Sequence, residues 1–444
     1  MYPRIMKYLP IDSQLFIENR ERFKAQLKPG AIAFFNANDE MPRSADQNFV
    51  FHQHPDLFYL TGIDQEQTLL VIFPDAPLPK YREILFVRKT NEHIAIWEGH
   101  KYTKEEARAT SGIQSIFWTE DIGSIVPMLM NHCKSVYVNL NENDRFSSEV
   151  PYKELRFANE MKNRYPGHEF LRSAPIMADL RAIKSDFEIK LMQRAIDITE
   201  KAFRRVLRFV KPGVMEYEIE AEITHEFIRK RATGHAYTPI IASGKNANVL
   251  HYIDNNNVCN DGDVILLDFG AEYANYAADL SRSIPVNGLY TERQRDVYNA
   301  CLRVMKQAKA MLVPGNTIEN YHFEVGKIME GELIGLGLLD KDEVKKQNPD
   351  MPLYKKYFMH GTSHFLGLDV HDIGNRYQPM KAGMVFTCEP GIYIPEEGLG
   401  IRIENDILIT TKEPVDLMAA IPVEVEDIEE AMREAAEMRM AHHH

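Results

Sequence analysis

The sequence of 444 residues is short of cysteine, of basic charge and of long apolar runs. Its four cysteines are scattered and form no CxxC pair, which argues against a thiolate zinc site and is typical of a reducing cytoplasm. The formal net charge of −13 argues against nucleic acid or an anionic membrane as the main partner. No apolar run suits a membrane span, and none near the N-terminus suits a signal peptide. We therefore expect a cytoplasmic protein.

The composition is that of a globular protein, with 44% hydrophobic and 26% charged residues. The chain can therefore build sizeable cores, and its length favours two domains. The closing residues, His442 to His444, resemble the remains of a purification tag, and we exclude them from the functional interpretation.

The first part of the chain alternates strand-like and helical segments, which is typical of an α/β domain. Strands are predicted over residues 31–35, 68–73, 83–87, 93–97 and 135–139, and helices over residues 11–28, 104–109 and 122–132. We assign residues 1–178 to this domain.

The second predicted domain, residues 179–440, begins with helical signals. Ser185 and Glu188 form a capping box that predicts a long helix, and a second helix is predicted over residues 216–233. Two further helices, over residues 291–312 and 318–336, follow a set of short strands. The helix stops at Pro212-Gly213 and Pro314-Gly315 lie about a hundred residues apart, which is a weak sign of internal duplication.

Two aspartates stand out within strand-like sequence. Residues 264–267 form an apolar run that ends in Asp268, and Asp279 follows eleven residues later in a similar run. Burying an ionised carboxylate is costly unless it is paired or binds a metal ion. The Asp268 strand carries no lysine or arginine, so a metal site is the favoured explanation.

Three later segments supply more ligand chemistry: residues 360–372 with several histidines, residues 386–393 around Glu389, and residues 400–406 around Arg402 and Glu404. Two Asp, two Glu and one His suit a hard ion such as Mn²⁺, with Zn²⁺, Co²⁺ and Fe²⁺ as alternatives. Four carboxylates balance two divalent ions, which could share an activated water and hydrolyse an amide or ester. Each residue alone has a plainer explanation, such as a turn aspartate, a core histidine or a structural Arg402–Glu404 ion pair.

These segments, in this order, resemble the creatinase/aminopeptidase P/prolidase family of pita-bread metallopeptidases. The likeness covers residues 180–415 closely and extends weakly to residues 58–62 in the first domain. It includes the Asp268–Asp279 spacing, a His-Gly-x-x-His-x-x-Gly-x-Asp-Val-His-Asp pattern from His360, and the motifs of Glu389 and Glu404. The resemblance implies an α/β N-terminal creatinase-like domain plus an α+β pita-bread catalytic domain with an internal pseudo-two-fold repeat.

The resemblance also implies a metal-ligand set. Asp268 would bind one metal ion, and Asp279 and Glu404 would bridge two. His364 and Glu389 would complete the second ion, and Glu389 would also move a proton.

Further roles follow from the same resemblance. His251 would contact the substrate near the scissile bond, and His371 would stabilise the tetrahedral intermediate. His360 would line the pocket for the residue after that bond. Arg402 would belong to the substrate side of the site and orient the carboxylates. Glu272 would lie in the turn between the two aspartates, outside the ligand set.

The activity implied is that of an Xaa-Pro aminopeptidase acting on peptides with proline at the second position. Prolidase, which is restricted to dipeptides, is the alternative within the family, and an inactive pita-bread domain that binds peptides is the alternative of another class. Residues 94–99 favour the aminopeptidase, because they resemble a segment whose tryptophan, here Trp97, reaches the active site of a neighbouring subunit. The family implies a homo-oligomer, either a dimer or a tetramer.

Overall fold

A computed structural model describes residues 6–441, so residues 1–5 and the terminal histidines 442–444 lie outside the described part. The chain divides into two compact units, one up to Arg181 and one from Ala182 onward. No helix within residues 6–441 is long and apolar enough to cross a membrane.

The first unit is built on a mixed six-stranded sheet in the order β6-β5-β4-β1-β7-β8. Its strands are β1 (Ala31–Asn36), β2 (Pro42–Ser44), β3 (Gln47–Asn48), β4 (Leu69–Ile72), β5 (Glu83–Val87), β6 (Ser115–Trp118), β7 (Ser135–Val138) and β8 (Glu169–Arg172). Its helices are α1 (Gln14–Lys24), α2 (Pro55–Thr61), α3 (Glu92–Glu98), α4 (Lys104–Ser111), α5 (Ile122–Met130), α6 (Lys153–Arg164) and α7 (Ala174–Ala182). β2 and β3 form a separate hairpin. The alternation of strands and helices agrees with the predicted α/β architecture.

The strand predicted over residues 93–97 is wrong, because this segment is helix α3. The Asn91 side chain accepts the backbone N–H of Ile94, which caps the helix, and Gly99 ends it with φ of +78°. The alternating apolar residues imitate a strand, yet the helix buries none of its side chains. Trp97 is 78% exposed.

The second unit repeats one arrangement, two long helices followed by short antiparallel strands. The first half contains α8 (Asp186–Phe209), α9 (Glu216–Arg229), β9 (Gly234–His235), β10 (Ile240–Ser243), β11 (Val264–Phe269), β12 (Ala271–Tyr273), β13 (Tyr276–Ala277) and β14 (Leu280–Pro285). The second contains α10 (Glu292–Ala310), α11 (Ile318–Gly335), α12 (Lys341–Val344), β15 (Val385–Cys388), β16 (Gly391–Ile394), β17 (Leu399–Arg402), β18 (Asn405–Leu408), β19 (Val415–Asp416) and α13 (Val425–Ala441).

The start of α8 confirms the predicted capping box. The Ser185 backbone N–H donates to Glu188 Oε2 at 2.9 Å, and the Glu188 N–H donates to Ser185 Oγ at 3.4 Å. These bonds satisfy two backbone donors that the helix itself leaves without partners.

The strands of the two halves meet at Glu404. In the first half the order is β10-β11-β14, and in the second β15-β18-β19 with β16-β17 beside them. Between the halves, Ser281 of β14 forms an antiparallel bridge with Glu404, whose backbone N–H donates to the Ser281 carbonyl at 3.1 Å. Acidic residues from both halves are therefore brought to one place.

The connection between the two aspartates differs from the expectation. Glu272 lies in β12 and is buried, whereas the turn is formed by Ala274 and Asn275, both with positive φ. Asp279 falls between β13 and β14 rather than within a strand. A two-residue hairpin turn of type I′ needs positive φ at both central residues, and Asn275 adopts it readily, so the turn forms at residues 274–275 and Glu272 is left in the strand.

Candidate metal centre

Asp268 lies in β11 and is held from two sides. Its Oδ2 accepts a hydrogen bond from Arg402 Nη2 at 2.7 Å, and its Oδ1 accepts one from the Tyr237 hydroxyl at 2.6 Å. The arginine offsets the carboxylate charge, and the side chains of both residues are largely buried. Asp268 is thus fixed in orientation before any ligand binds.

Asp279 is the neighbour of Asp268 in this site. Its Oδ1 lies 2.5 Å from the same Tyr237 hydroxyl, and its Oδ2 lies 3.4 Å from His364 Nε2. A hydroxyl has one proton, so Tyr237 shares it between the two carboxylates. Burial, opposed by the hydrogen bond from His364, raises the pKa of Asp279 to about 6, and the charge of Asp268 adds to this.

His364 presents the nitrogen that a metal ion would use. Its Nδ1 lies 2.8 Å from the Phe365 carbonyl, which can only accept, so Nδ1 carries a proton. The other ring nitrogen, Nε2, lies 3.4 Å from Asp279 Oδ2 and 3.2 Å from Glu389 Oε1. Burial lowers the pKa of His364, but hydrogen bonds to these two carboxylates outweigh it and raise the pKa to about 10. The surroundings thus favour a positive charge at this point.

Glu389 follows β15 and is anchored through its own backbone and Thr387. The Glu389 N–H donates to the Thr362 carbonyl at 2.8 Å, and Thr387 Oγ1 donates to Glu389 Oε1 at 3.2 Å. Burial favours the neutral acid, but the hydrogen bond and charge of His364 outweigh it and lower the pKa of Glu389 to about 2. The carboxylate therefore stays ionised.

Glu404 carries the strongest sign of an absent partner. Its Oε2 accepts from Ser281 Oγ at 2.6 Å, whereas its buried Oε1 has no hydrogen-bond partner among the described residues. Burial, then the charges of Asp279, Glu389 and Asp268, raise the pKa of Glu404 well above its ordinary value. A buried acid without a partner costs free energy that a bound cation would recover.

These observations fit a divalent metal site. Donor atoms of Asp279, His364 and Glu404 lie within 4.8 Å of one another, and they form the one such group found in the described part of the chain. Asp268 and Glu389 join this group through Tyr237 and His364, respectively. The structure thus brings together all five predicted ligands, three as a tight group and two at its edge.

The other candidate residues divide into those beside this group and those away from it. The His371 ring packs edge-on against the His364 ring, with 4.4 Å between ring centres. His360 Nε2 lies 2.7 Å from the Tyr393 hydroxyl, and Arg402 Nη1 donates to that hydroxyl at 2.9 Å. His360 is thus linked to the site through Tyr393 and Arg402.

His251 and Trp97 are not held by these contacts. His251 is exposed in the loop that follows a 3-10 helix, Gly244–Asn248, and Trp97 is an exposed residue of the first unit. Within the described part of the second unit, no hydrogen bond, ion pair or ring contact joins the His251 side chain to the ligand group.

Sequence reasoning missed Tyr237. It stands between β9 and β10 with no periodicity or motif that distinguishes it from a packed aromatic residue. The signal is structural, because pairing of Ile240 with Asp268 brings the segment before β10 to the acidic end of β11. Ser281, Thr387 and Tyr393 were missed for a related reason, since a strand pattern does not say which hydroxyl touches a carboxylate.

Replacing Tyr237 with phenylalanine is expected to weaken divalent-metal binding by about 10- to 100-fold, the range typical of residues that orient ligands. The change removes the hydroxyl that bonds to both Asp268 and Asp279 and so orients their carboxylates as ligands. Calorimetric titration of the chelator-treated protein with Mn²⁺ measures this. Tyr298→Phe is the matched control, because that buried hydroxyl donates to the Val423 carbonyl instead. Equal affinities in the two variants would contradict the role of Tyr237.

Comparison with known proteins identifies the family of this chain. Residues 190–411 match the model of metallopeptidase family M24, and residues 16–137 match that of the aminopeptidase P N-terminal domain. The chain is 34% identical over 431 residues to the Xaa-Pro aminopeptidase of Haemophilus influenzae, covering 94% of this chain and 96% of that protein. It is also 34% identical over 444 residues to the Xaa-Pro aminopeptidase of Escherichia coli, covering 95% and 98%.

A solved structure gives the same result in three dimensions. Zinc-substituted aminopeptidase P of Escherichia coli in complex with product has a TM-score of 0.86 and 33% identity, with 96% of this chain and 99% of that chain covered. The similarity therefore extends through both units and confirms the predicted fold class.

Proposed function

The chain belongs to metallopeptidase family M24, and from this membership we propose that it is an Xaa-Pro aminopeptidase, which releases the N-terminal residue from peptides with proline in second position. The observation that carries the proposal is the buried group around Glu404, with its unpartnered oxygen and its excess of carboxylates. Relatives that match almost the whole chain are named for this activity.

We propose that the five candidate ligands hold two divalent ions. The set comprises Asp268, Asp279, His364, Glu389 and Glu404. Its four carboxylates carry a charge of −4, which two such ions would balance. Mn²⁺ suits this oxygen-rich set with one imidazole best, and Zn²⁺, Co²⁺ and Fe²⁺ are alternatives. When bound, the ions would supply a nucleophilic water of lowered pKa and would polarise the scissile carbonyl.

The remaining chemistry falls to the side chains. Attack on an Xaa-Pro bond releases a proton from water, and the proline nitrogen must gain one as it leaves, because an amide anion is too basic to be expelled. Glu389 is anchored by Thr387 beside His364, and we assign it to take the first proton and pass it to the nitrogen. His371, packed against His364, is placed to donate a hydrogen bond to the developing oxyanion.

Two further residues shape the site around the substrate. His360 would form part of the wall for the proline ring, since Phe358 and Tyr393 pack edge-on against it. Arg402 is buried and engages Asp268, Ser281 and Tyr393, so its guanidinium orients the ligand carboxylate. We assign His251 to contact with the substrate near the scissile bond.

We also propose that the protein acts in the cytoplasm as a homo-oligomer, either a dimer or a tetramer. Trp97 is exposed on its helix, and its own unit does not bury it. This exposure supports a role for Trp97 at the active site of a neighbouring copy. Sedimentation of the wild type and of Trp97→Ala, together with their Michaelis constants, tests this.

A pair of substrates separates the two activities within the family. We expect an Xaa-Pro-Yaa tripeptide to be cleaved at least as well as the matching Xaa-Pro dipeptide, with Mn²⁺ present. Efficient cleavage of the dipeptide alone would identify a prolidase. Failure to cleave either peptide, with no bound divalent metal, would favour the inactive peptide-binding domain, although all five ligand positions carry ligand residue types.

A further inference from the structure

Glu216 is a fully buried carboxylate that the metal centre does not use. It is the first residue of α9. No lysine or arginine forms an ion pair with it in the part of the chain that the structure describes. A buried carboxylate is normally kept by a cation, a metal ion or many hydrogen bonds.

Hydrogen bonds stabilise the buried Glu216 carboxylate. Its Oε1 accepts from the backbone N–H and hydroxyl of Ser243, at 2.8 and 2.6 Å, and from Asn246 Nδ2 at 3.1 Å. Its Oε2 accepts from the Tyr252 hydroxyl at 2.7 Å and from the Asn257 backbone N–H at 2.9 Å. Five donors thus converge on the two oxygens, which fills their accepting capacity. The start of a helix also favours a negative charge.

The donors all belong to one segment, from Ser243 at the end of β10 to Asn257. The segment has little regular structure of its own, apart from its 3-10 helix. The Glu216 backbone N–H also donates to the Asn257 carbonyl at 2.9 Å, so both ends of the segment are tied to one residue. The hydrogen bonds to Glu216 therefore hold this segment in place of the regular backbone hydrogen bonds that a helix or strand would provide.

This segment carries His251, and the tether acts directly beside it. Tyr252 is the next residue, and its ring packs in a buried cluster with Leu266 of β11 and Tyr393 of β16. Burial and the hydrogen bond to Glu216 raise the pKa of Tyr252 to about 12, so it stays a donor. The exposed His251 is thus followed directly by Tyr252, whose side chain is held twice. Its ring is packed in the cluster, and its hydroxyl is bonded to Glu216.

We propose that Glu216 is a positioning residue that fixes the segment from Ser243 to Asn257 and thereby holds His251 toward the substrate. The role of His251 rests on the proposed function, whereas the tether itself does not. Glutamine at position 216 would keep one accepting oxygen and turn an NH₂ group toward the remaining donors, so it would break part of the cluster without changing the size of the side chain.

The first readout does not depend on activity. We expect Glu216→Gln to raise hydrogen–deuterium exchange in residues 244–257 while the metal content stays as in the wild type. Glu218→Gln is the matched control, because Glu218 is an exposed residue of the same helix turn that accepts from the Met215 N–H, as glutamine can. Unchanged exchange in residues 244–257 of Glu216→Gln would overturn the proposal.

The second readout is a double-mutant cycle. With an Xaa-Pro-Yaa peptide, Glu216→Gln should lower kcat/KM by about 10- to 100-fold, as a misplaced catalytic group does. In a His251→Ala background the same change should cost less than about threefold, because the group it positions is gone. If the two losses multiply in full, Glu216 does not act through His251.

A third variant, Tyr252→Phe, keeps the proposal testable if Glu216→Gln does not fold. Tyr252→Phe removes one donor and keeps the ring, so we expect a smaller rise in exchange over residues 244–257 and a loss of about three- to tenfold in kcat/KM. Wild-type exchange and activity in Tyr252→Phe would contradict the tether. A wild type that cleaves no Xaa-Pro peptide would refute the proposed function instead, and the exchange data would still decide on the tether.

Discussion

Replacing Glu404 with glutamine is expected to abolish peptide cleavage and yet stabilise the metal-stripped protein. The side chain is 1% exposed and shares its surroundings with Asp268, Asp279 and Glu389, and no described residue forms a hydrogen bond with its Oε1. Glutamine keeps the shape and can still accept from Ser281, but it cannot take up the negative charge that burial and the neighbouring carboxylates oppose. Two opposite effects of one substitution are the signature of a site built for a cation.

Thermal unfolding with and without metal measures both effects. In the presence of chelator we expect Glu404→Gln to unfold about 2–4 °C above the wild type for each kcal/mol of repulsion relieved. With Mn²⁺ at about a hundred times its dissociation constant, the wild type should gain about 2.7 kcal/mol for each ion that it binds, whereas the variant should gain far less. Asp406→Asn is the control for the response to Mn²⁺. Asp406 is another buried acid whose Oδ1 has no hydrogen-bond partner among the described residues, but it lies outside the group of Asp279, His364 and Glu404. Asparagine can still accept the Asp279 backbone N–H that Asp406 Oδ2 accepts at 3.1 Å. An equal response of wild type and Glu404→Gln to Mn²⁺ would remove Glu404 from the ligand set.

Replacing Lys184 with methionine is expected to destabilise the second unit by about 3–5 kcal/mol. Lys184 Nζ lies 3.1 Å from Asp372 Oδ2, and both side chains are 1% exposed. The variant loses the lysine cation of this pair while the Asp372 carboxylate stays buried, and removing one partner is the costly way to break a buried ion pair. Asp372 follows His371, so activity should fall as well.

Urea unfolding monitored by fluorescence or circular dichroism measures this loss. Lys309→Met breaks a more exposed pair with Asp416, whose side chains are 32% and 11% exposed, and should cost no more than about 1 kcal/mol. The double variant Lys184→Met with Asp372→Asn should recover most of the lost stability, because no uncompensated charge remains. A loss in Lys184→Met no larger than in Lys309→Met would show that the buried pair adds little.

The sequence predicts well where local chemistry decides the structure. The Ser185–Glu188 capping box is confirmed because its bonds form between residues three apart. Helices near residues 216, 291 and 318 are confirmed for similar reasons, since caps and proline–glycine stops act locally. Residue type also singled out five acidic and imidazole side chains, because such groups are rarely placed within apolar sequence without a partner.

The sequence predicts poorly where neighbours decide. Residues 93–97 alternate like a strand, but no sheet covers them and the Asn91 cap makes them a helix. Asp279 leaves the strand because its backbone N–H donates to the distant Asp406. Gly270 is equally hidden in the sequence, although a side chain there would meet the Ala278 carbonyl at 1.7 Å. The bond from Asp279 to Asp406 joins segments that are distant in the chain, and the other two features depend on a side-chain cap and a close backbone approach that hydrophobic patterning does not reveal.

The most direct test is a titration of the chelator-treated protein with Mn²⁺ while release of the first residue from an Xaa-Pro-Yaa peptide is followed. We predict that binding saturates at two ions per chain and that cleavage appears as the ions bind. Cleavage that is complete without metal, or an absence of both binding and cleavage at every Mn²⁺ concentration, would contradict the account.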